Sequence, residues 1–159
     1  VGGYRLIDRT VDTPDLPDTD VVHIATGGLM VPEAVAAARR LQDEGVAVNL
    51  INVTSAQRLY DTLTASRRML LRDAWGRPDY GHLSTLIPAN ERRAPIVTVQ
   101  DGASHSLAFL GSIWGAPVVP LGVDEFGQSG ARLDVYRKVG IDPEQIFNAG
   151  LLSLDLVDR

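Results

Sequence analysis

Three stretches of this chain are apolar without alternation, and they restrict its fold more than any other feature. Asp20–Thr26 (DVVHIAT), Val46–Val53 (VAVNLINV) and Pro95–Gln100 (PIVTVQ) are rich in β-branched residues. A strand with one wet face alternates polar and apolar positions. An almost unbroken apolar run instead marks a strand covered on both faces, as in a parallel sheet. Parallel neighbours cannot be joined by a hairpin and need crossovers, usually helical.

Helical patterns stand where those crossovers are required. After Gly27-Gly28, Pro32 falls in a first turn, where a missing N–H costs nothing. Val31, Ala34, Val35, Ala38 and Leu41 then recur at helical spacing, and Gly45 is placed to end the helix. Thr54-Ser55 reads as the cap of a second helix with Ala56, Leu59, Tyr60, Leu63 and Leu70 as its buried stripe. Ala103–Trp114 reads as a short helix rich in small residues. Ala116–Leu121 reads as a further strand, pushed to the sheet edge by Pro117 and Pro120. A helix over Ala131–Val139 is ended by Gly140. The last helix opens at Asp142-Pro143-Glu144-Gln145, with Asp as N-cap, Pro at N1 and Gln at N3. With the short run Tyr4–Ile7 as another strand, the fold class is α/β: three layers, α/β/α, around an open, mostly parallel sheet of about five strands.

A chain of 159 residues is one domain's worth and long enough to bury a core. Pro14 and Pro17 remove backbone donors from an acidic stretch, so residues 1–19 are expected to be a leading segment or linker and 20–159 the domain. The first residue is Val1 rather than Met, which points to a piece excised from something longer. A net charge of −5 gives no global basic field for nucleic acid or an anionic membrane. No run has the length of a spanning helix, and no signal peptide opens the chain. Zero cysteines exclude disulfides, thiol nucleophiles and thiolate metal sites, and fit the cytoplasm.

Two loops attract attention. Residues 73–94 carry prolines, glycines and little periodicity, and loops of that length tend to be functional or to lie on a partner. Trp75 and Tyr80 within it are expected at an interface. Leu121–Gly130 (LGVDEFGQSG) leads from a strand to a helix. Exposing the Phe126 ring gains nothing, so it should be tucked against the domain or a partner. Gly127 would permit a conformation or approach that a Cβ blocks. Ser129, after Gln128, stands where an N-cap is expected.

The chemical motifs are mostly missing. TGGLMVPE lacks the third glycine of a dinucleotide fingerprint, and the one lysine, Lys138, is in no P-loop. No Ser is flanked as G-x-S-x-G. Asp101-Gly102 is a fragment of the Gly-Asp-Gly…Asn pattern that holds magnesium and a diphosphate, and no metal ligand is assigned. His23 lies mid-strand and reads as a core imidazole. His105 follows a strand's carboxyl end, where open α/β sheets bind ligands, and Asp101 is four residues upstream to orient it. Those two are the candidate catalytic residues.

Together, ATGGLMVPEAVAAARRLQDEGVAVNLINVTSAQRLYD, APIVTVQDGASHSLAFLG and VDEFGQSGARLDVYRKVGIDPEQI resemble the C-terminal domain of the transketolase superfamily. NVTS and the Phe-Gly-x-Ser run Phe126–Ser129 are the most specific pieces. They are most similar to those of the homodimeric, thiamine-diphosphate-dependent pyruvate dehydrogenase. The resemblance implies a three-layer domain with a mixed five-strand sheet, inactive alone. Thiamine diphosphate and magnesium would be held by other domains of a parent enzyme, with none bound in this domain. It implies a homodimer, the remaining domains and a lipoyl acyltransferase as partners, with Phe126, Gly127, Gln128 and Ser129 toward the dimer contact. The alternatives are a domain of a transketolase and a stand-alone module that binds a small anion or regulates, using Gly27, Gly28 and the turn at 101–105.

Overall fold

The apolar runs do become adjacent parallel strands. The computed structural model describes residues 1–17, 19–73, 75–125, 127 and 129–157. Its strands are β1 (Gly3–Ile7), β2 (Val21–Thr26), β3 (Ala47–Val53), β4 (Ile96–Val99) and β5 (Val118–Leu121). They form one sheet in the order β1-β3-β2-β4-β5. Every residue of β2 and β4 is buried, which is why neither run alternates. β2, β3, β4 and β5 are parallel, and β1 runs antiparallel on β3 with a register shift between Arg5 and Ile7. β5 is an edge strand, and the exposed Pro120, with no N–H to give, sits in it.

The helices are α1 (Arg9–Asp12), α2 (Val31–Asp43), α3 (Ala56–Arg72), α4 (Leu83–Leu86), α5 (Arg132–Val139) and α6 (Pro143–Val157). Their ends follow local chemistry. Ser55 Oγ accepts from the Arg58 N–H and caps α3, while Asp142 Oδ1 accepts from the Gln145 N–H at the start of α6. Gly140 ends α5 at φ 75°, a left-handed conformation that a side chain would strain.

One face of the sheet carries α2 and α6. Ile24, Val48, Leu50, Val97 and Val99 pack there with Ala34, Ala37, Ala38, Leu41 and Ile146. Small residues bring these helices close: a Cβ on Gly150 of α6 would lie 2.7 Å from the Leu41 Cδ1. On the other face, Ala25, Ile51 and Ile96 lie under Leu59 and Leu63 of α3, with Leu83, Leu86, Ile87, Leu107 and Leu110. Truncating one such buried leucine to alanine costs about 2–5 kcal/mol.

Several local expectations are corrected. Residues 73–94 are not featureless: α4 and a 3-10 turn at Ala89–Glu91 lie within them, and Leu83, Leu86 and Ile87 close the second core. Tyr60 is exposed rather than part of the α3 stripe, and its ring meets Phe109 edge-on at 5.3 Å. The small Ser66 takes an inward place on α3 instead. Ser104–Ile113 forms a 3-10 helix, not an α-helix. The hydroxyls of Ser106 and Ser112 donate to the carbonyls three residues back, and Gly111 is crowded by the Val118 side chain and the Ala116 carbonyl.

Candidate functional site

The carboxyl edge of the sheet is where an open α/β domain presents turns to a ligand, because strand order reverses there. Here the reversal falls between β2 and β4, since β2 lies between β3 and β4. Turns after β2, β3 and β4 line a cleft of about 330 Å³ that includes Gly27, Gly28, Thr54, Gln100 and Asp101. Beside it the turns after β4 and β5 are tied together. The Val123 N–H donates to the Gly102 carbonyl at 2.7 Å, and the Ser104 N–H donates to Asp124 Oδ1 at 2.8 Å. Gly122 is required there, because a Cβ would sit 2.5 Å from the Gly102 carbonyl oxygen. The Ser104 N–H, its hydroxyl and the nearby His105 hold the Asp124 carboxyl below the usual carboxylate range.

Asp101 and His105 do reach this edge, and both are exposed. Asp101 Oδ2 accepts from the Tyr136 hydroxyl of α5 at 3.3 Å, so its partner is a tyrosine. Burial, together with the negative charge and hydrogen bond of Asp101, raises the Tyr136 phenol above its ordinary value. Glu33 of α2 is buried nearby, with Arg132 3.7 Å away across the start of α5. The carboxylate that responds to His105 is Asp124. Among the described residues no three His, Asp or Glu side chains are grouped to hold a metal ion.

The expected interface residues separate. Trp75 is 96% exposed, whereas Tyr80 is 8% exposed and stacks edge-on against Trp114 at 5.2 Å inside the chain's own core. Phe126 and Gln128 lie outside the described residues. A Cβ on Gly127 would meet nothing within 4 Å, so no close approach there requires glycine. Ser129 is not the N-cap: α5 begins three residues later, with Ala131 in that place and no side-chain cap.

The most elaborate polar cluster lies elsewhere, on the α4 face toward the amino end of the strands. Glu91 Oε2 accepts from Arg5 Nη2 at 2.6 Å and Oε1 from Arg9 Nε at 2.7 Å. Asn49 Nδ2 donates to Glu91 Oε2 at 3.2 Å, while Asn49 Oδ1 accepts from Arg5 Nη1 and from the Arg9 N–H. Burial alone would raise the Glu91 carboxyl, but hydrogen bonds from the two arginines outweigh it and hold it low. His23 is wholly buried beside this group. Burial pushes its imidazole down to about 4, against the pull of Glu91, so it is neutral at pH 7. Asn49 Nδ2 lies 3.4 Å from His23 Nδ1 and can only donate to it. That leaves the proton on Nε2, which faces Glu91 Oε2 at 3.7 Å. Sequence reading placed His23 in the core but missed the cluster, because its members are far apart in the chain. The one signal was an Asn and a His inside otherwise apolar strands.

Residues 2–142 match the family described as Transketolase-like TK C-terminal domain. The chain belongs to that family. It is 27% identical to the chromosomal transketolase of Cupriavidus necator over 154 residues, covering 97% of this chain and 18% of that protein. The structure is similar to transketolase from Leishmania mexicana with a TM-score of 0.64 and 25% identity, across 99% of this chain and 18% of that one. It is also similar in fold to a split-gene transketolase described as an inactive beta4 tetramer, with a TM-score of 0.60 and 20% identity over 97% of this chain and 42% of that one. The chain thus spans about a fifth of the length of the whole transketolases. These matches name transketolase, the alternative drawn from sequence, and move the weight away from pyruvate dehydrogenase.

Proposed function

We propose that this chain is the C-terminal accessory domain of a transketolase, a transferase that moves a two-carbon ketol unit between sugar phosphates. The observation that carries this reading is the family match over residues 2–142 together with the transketolase likeness along 97% of the chain. Thiamine diphosphate with magnesium, bound by other domains, would supply the carbanion-stabilising chemistry of the transfer. This chain's part is structural: it packs beside those domains in a homodimer, and in isolation it turns nothing over. The exposed Met69, Leu71 and Trp75 at the end of α3 support such packing, as large apolar groups left in water. The loop at Phe126–Ser129 is proposed to face the same assembly. The absence of cysteine supports a cytoplasmic setting.

The test is to combine this chain with the cofactor-binding part of a transketolase and follow ketol exchange between a ketose phosphate and an aldose phosphate. Restoration of exchange, with none by the chain alone, is expected. The NVTS run favours a second reading, a domain of a 2-oxoacid dehydrogenase that would hand an acetyl unit to a lipoyl acyltransferase. Pyruvate-dependent acetylation of a lipoyl domain, without ketol exchange, would establish that reading in place of the first.

A further inference from the structure

The amino edge of the sheet carries a larger cleft than the carboxyl edge, about 690 Å³, between the start of β2, the turn into β4 and the end of α6. Arg9, Arg92 and Arg93 line it with Asn90, against the carboxylates of Asp20 and Glu91. Glu91 is already engaged, accepting from Arg5 and Arg9. Arg92 and Arg93 are exposed, and among the described residues neither side chain has a hydrogen bond or ion pair. Leu154 and Val157 of α6 add an apolar wall.

This balance of charge runs against the rest of the molecule, whose net charge is −5. Among the described residues, the lining of the carboxyl-edge cleft has Asp101 and no cationic side chain. A third cleft, of about 520 Å³ beside α5, has Lys138 against Asp124, Glu125 and Asp134. An anion entering either meets carboxylates. At the amino edge it meets guanidiniums, and among the described residues of the lining the carboxylates are Glu91, already engaged, and Asp20.

We propose that the amino-edge cleft binds a small phosphate monoester. Arg92 and Arg93 grip the phosphate, since a planar guanidinium presents paired N–H groups that match two phosphate oxygens. The Asn90 amide adds a neutral donor, and Leu154 and Val157 receive the organic part. The volume lies within the range of small-molecule sites. Glu91 acts from behind by fixing Arg9 at the cleft floor. The site does not depend on the transketolase reading, and loss of ketol exchange would leave it standing.

Titration calorimetry of the protein with phenyl phosphate at low ionic strength tests the site. One saturable event is expected, weakening as salt is added. The double variant Arg92→Gln, Arg93→Gln should lose about tenfold or more in affinity, in line with removal of charge-assisted hydrogen bonds. Arg92→Lys with Arg93→Lys keeps charge but not the fork and should fall between. Asp101→Asn, at the opposite edge, should bind as the parent does. Both arginines are exposed, and an unchanged circular dichroism spectrum verifies that the variants fold. The proposal is overturned by no saturation below about 10 mM, or by equal affinity in the Gln double variant. Binding of an oligoglutamate peptide without binding of phenyl phosphate would also overturn it, and would identify an acidic segment as the occupant.

Discussion

The two ends of the sheet are built on opposite electrostatic plans. At the carboxyl end, Asp101 and Asp124 are exposed and occupied with the chain's own turns, one on the Tyr136 hydroxyl and one on the Ser104 N–H. At the amino end, a carboxylate is buried and answered by two arginines, and further arginines line the cleft outside it. An exposed carboxylate keeps its water and costs little. A buried one must be matched in full, because each partner lost leaves charge in a medium that cannot solvate it. The position that sheet topology favours for ligands is thus, in this chain, the weakly loaded end. The amino end also joins β1 and α1 to the sheet, since Arg5 belongs to β1 and Arg9 to α1.

Removing the Glu91 charge should therefore produce the largest effect of any conservative change at either end. Glu91→Gln keeps the shape but takes away the buried charge that Arg5 and Arg9 share, although Arg5 keeps its ion pair with Asp8 at 3.3 Å, and a loss of about 3–5 kcal/mol is expected. Urea unfolding of the variant beside the parent measures it. A loss under about 0.5 kcal/mol, the size of an ordinary surface change, would mean the buried cluster is not what distinguishes the two ends.

Acid should act on the amino end next. The folded-state imidazole of His23 sits at about 4, below its ordinary 6.5. Between those values the unfolded chain binds a proton that the folded chain does not, so stability falls as pH drops from about 6.5 toward 4. The full separation corresponds to roughly 3 kcal/mol, an upper figure that a more compact denatured state would reduce. Glu91 contributes in the same direction at lower pH, because its lowered carboxyl loses its stabilising charge only as pH falls beneath the ordinary carboxylate value. Unfolding free energy against pH measures the sum. Replacing His23 with Gln should flatten the upper part of the profile and leave the lower part in place.

Sequence patterning revealed the strands, the sense of the inner ones and the edge position of β5, because burial on both faces and a proline without a donor are local properties. The caps at Ser55 and Asp142 were legible for the same reason. The order that sets β1 antiparallel beside β3 was not, since five residues, GYRLI, pair equally well in either sense. The cover formed by Leu83, Leu86 and Ile87 was hidden because one turn of helix is too short to show a period. Asp101 and His105 were correctly brought to the carboxyl edge, but their four-residue spacing could not reveal that Tyr136, 35 positions later, would take the carboxylate. The amino-edge cluster joins residues 5, 9, 23, 49 and 91, and only the folded register places them together.

The smallest expected effect belongs to the carboxyl end. Tyr136→Phe removes the hydroxyl that donates to Asp101 and leaves the ring, which is 4% exposed, in its place in the core. Asp101 is exposed and regains water as its donor, so the cost should be no more than about 1 kcal/mol, the net worth of an ordinary hydrogen bond. Thermal unfolding at neutral pH checks the size. The raised phenol of Tyr136 supplies a sharper readout, because Asp101 is a cause of that shift after burial. In Asp101→Asn, the absorbance titration of Tyr136, identified by its loss in Tyr136→Phe, should move toward its ordinary value while neutral-pH stability barely changes. A Tyr136→Phe loss as large as that of Glu91→Gln would remove the distinction between the ends, because it would show a fully buried, fully matched polar contact where the structure has a part-buried one on an exposed carboxylate.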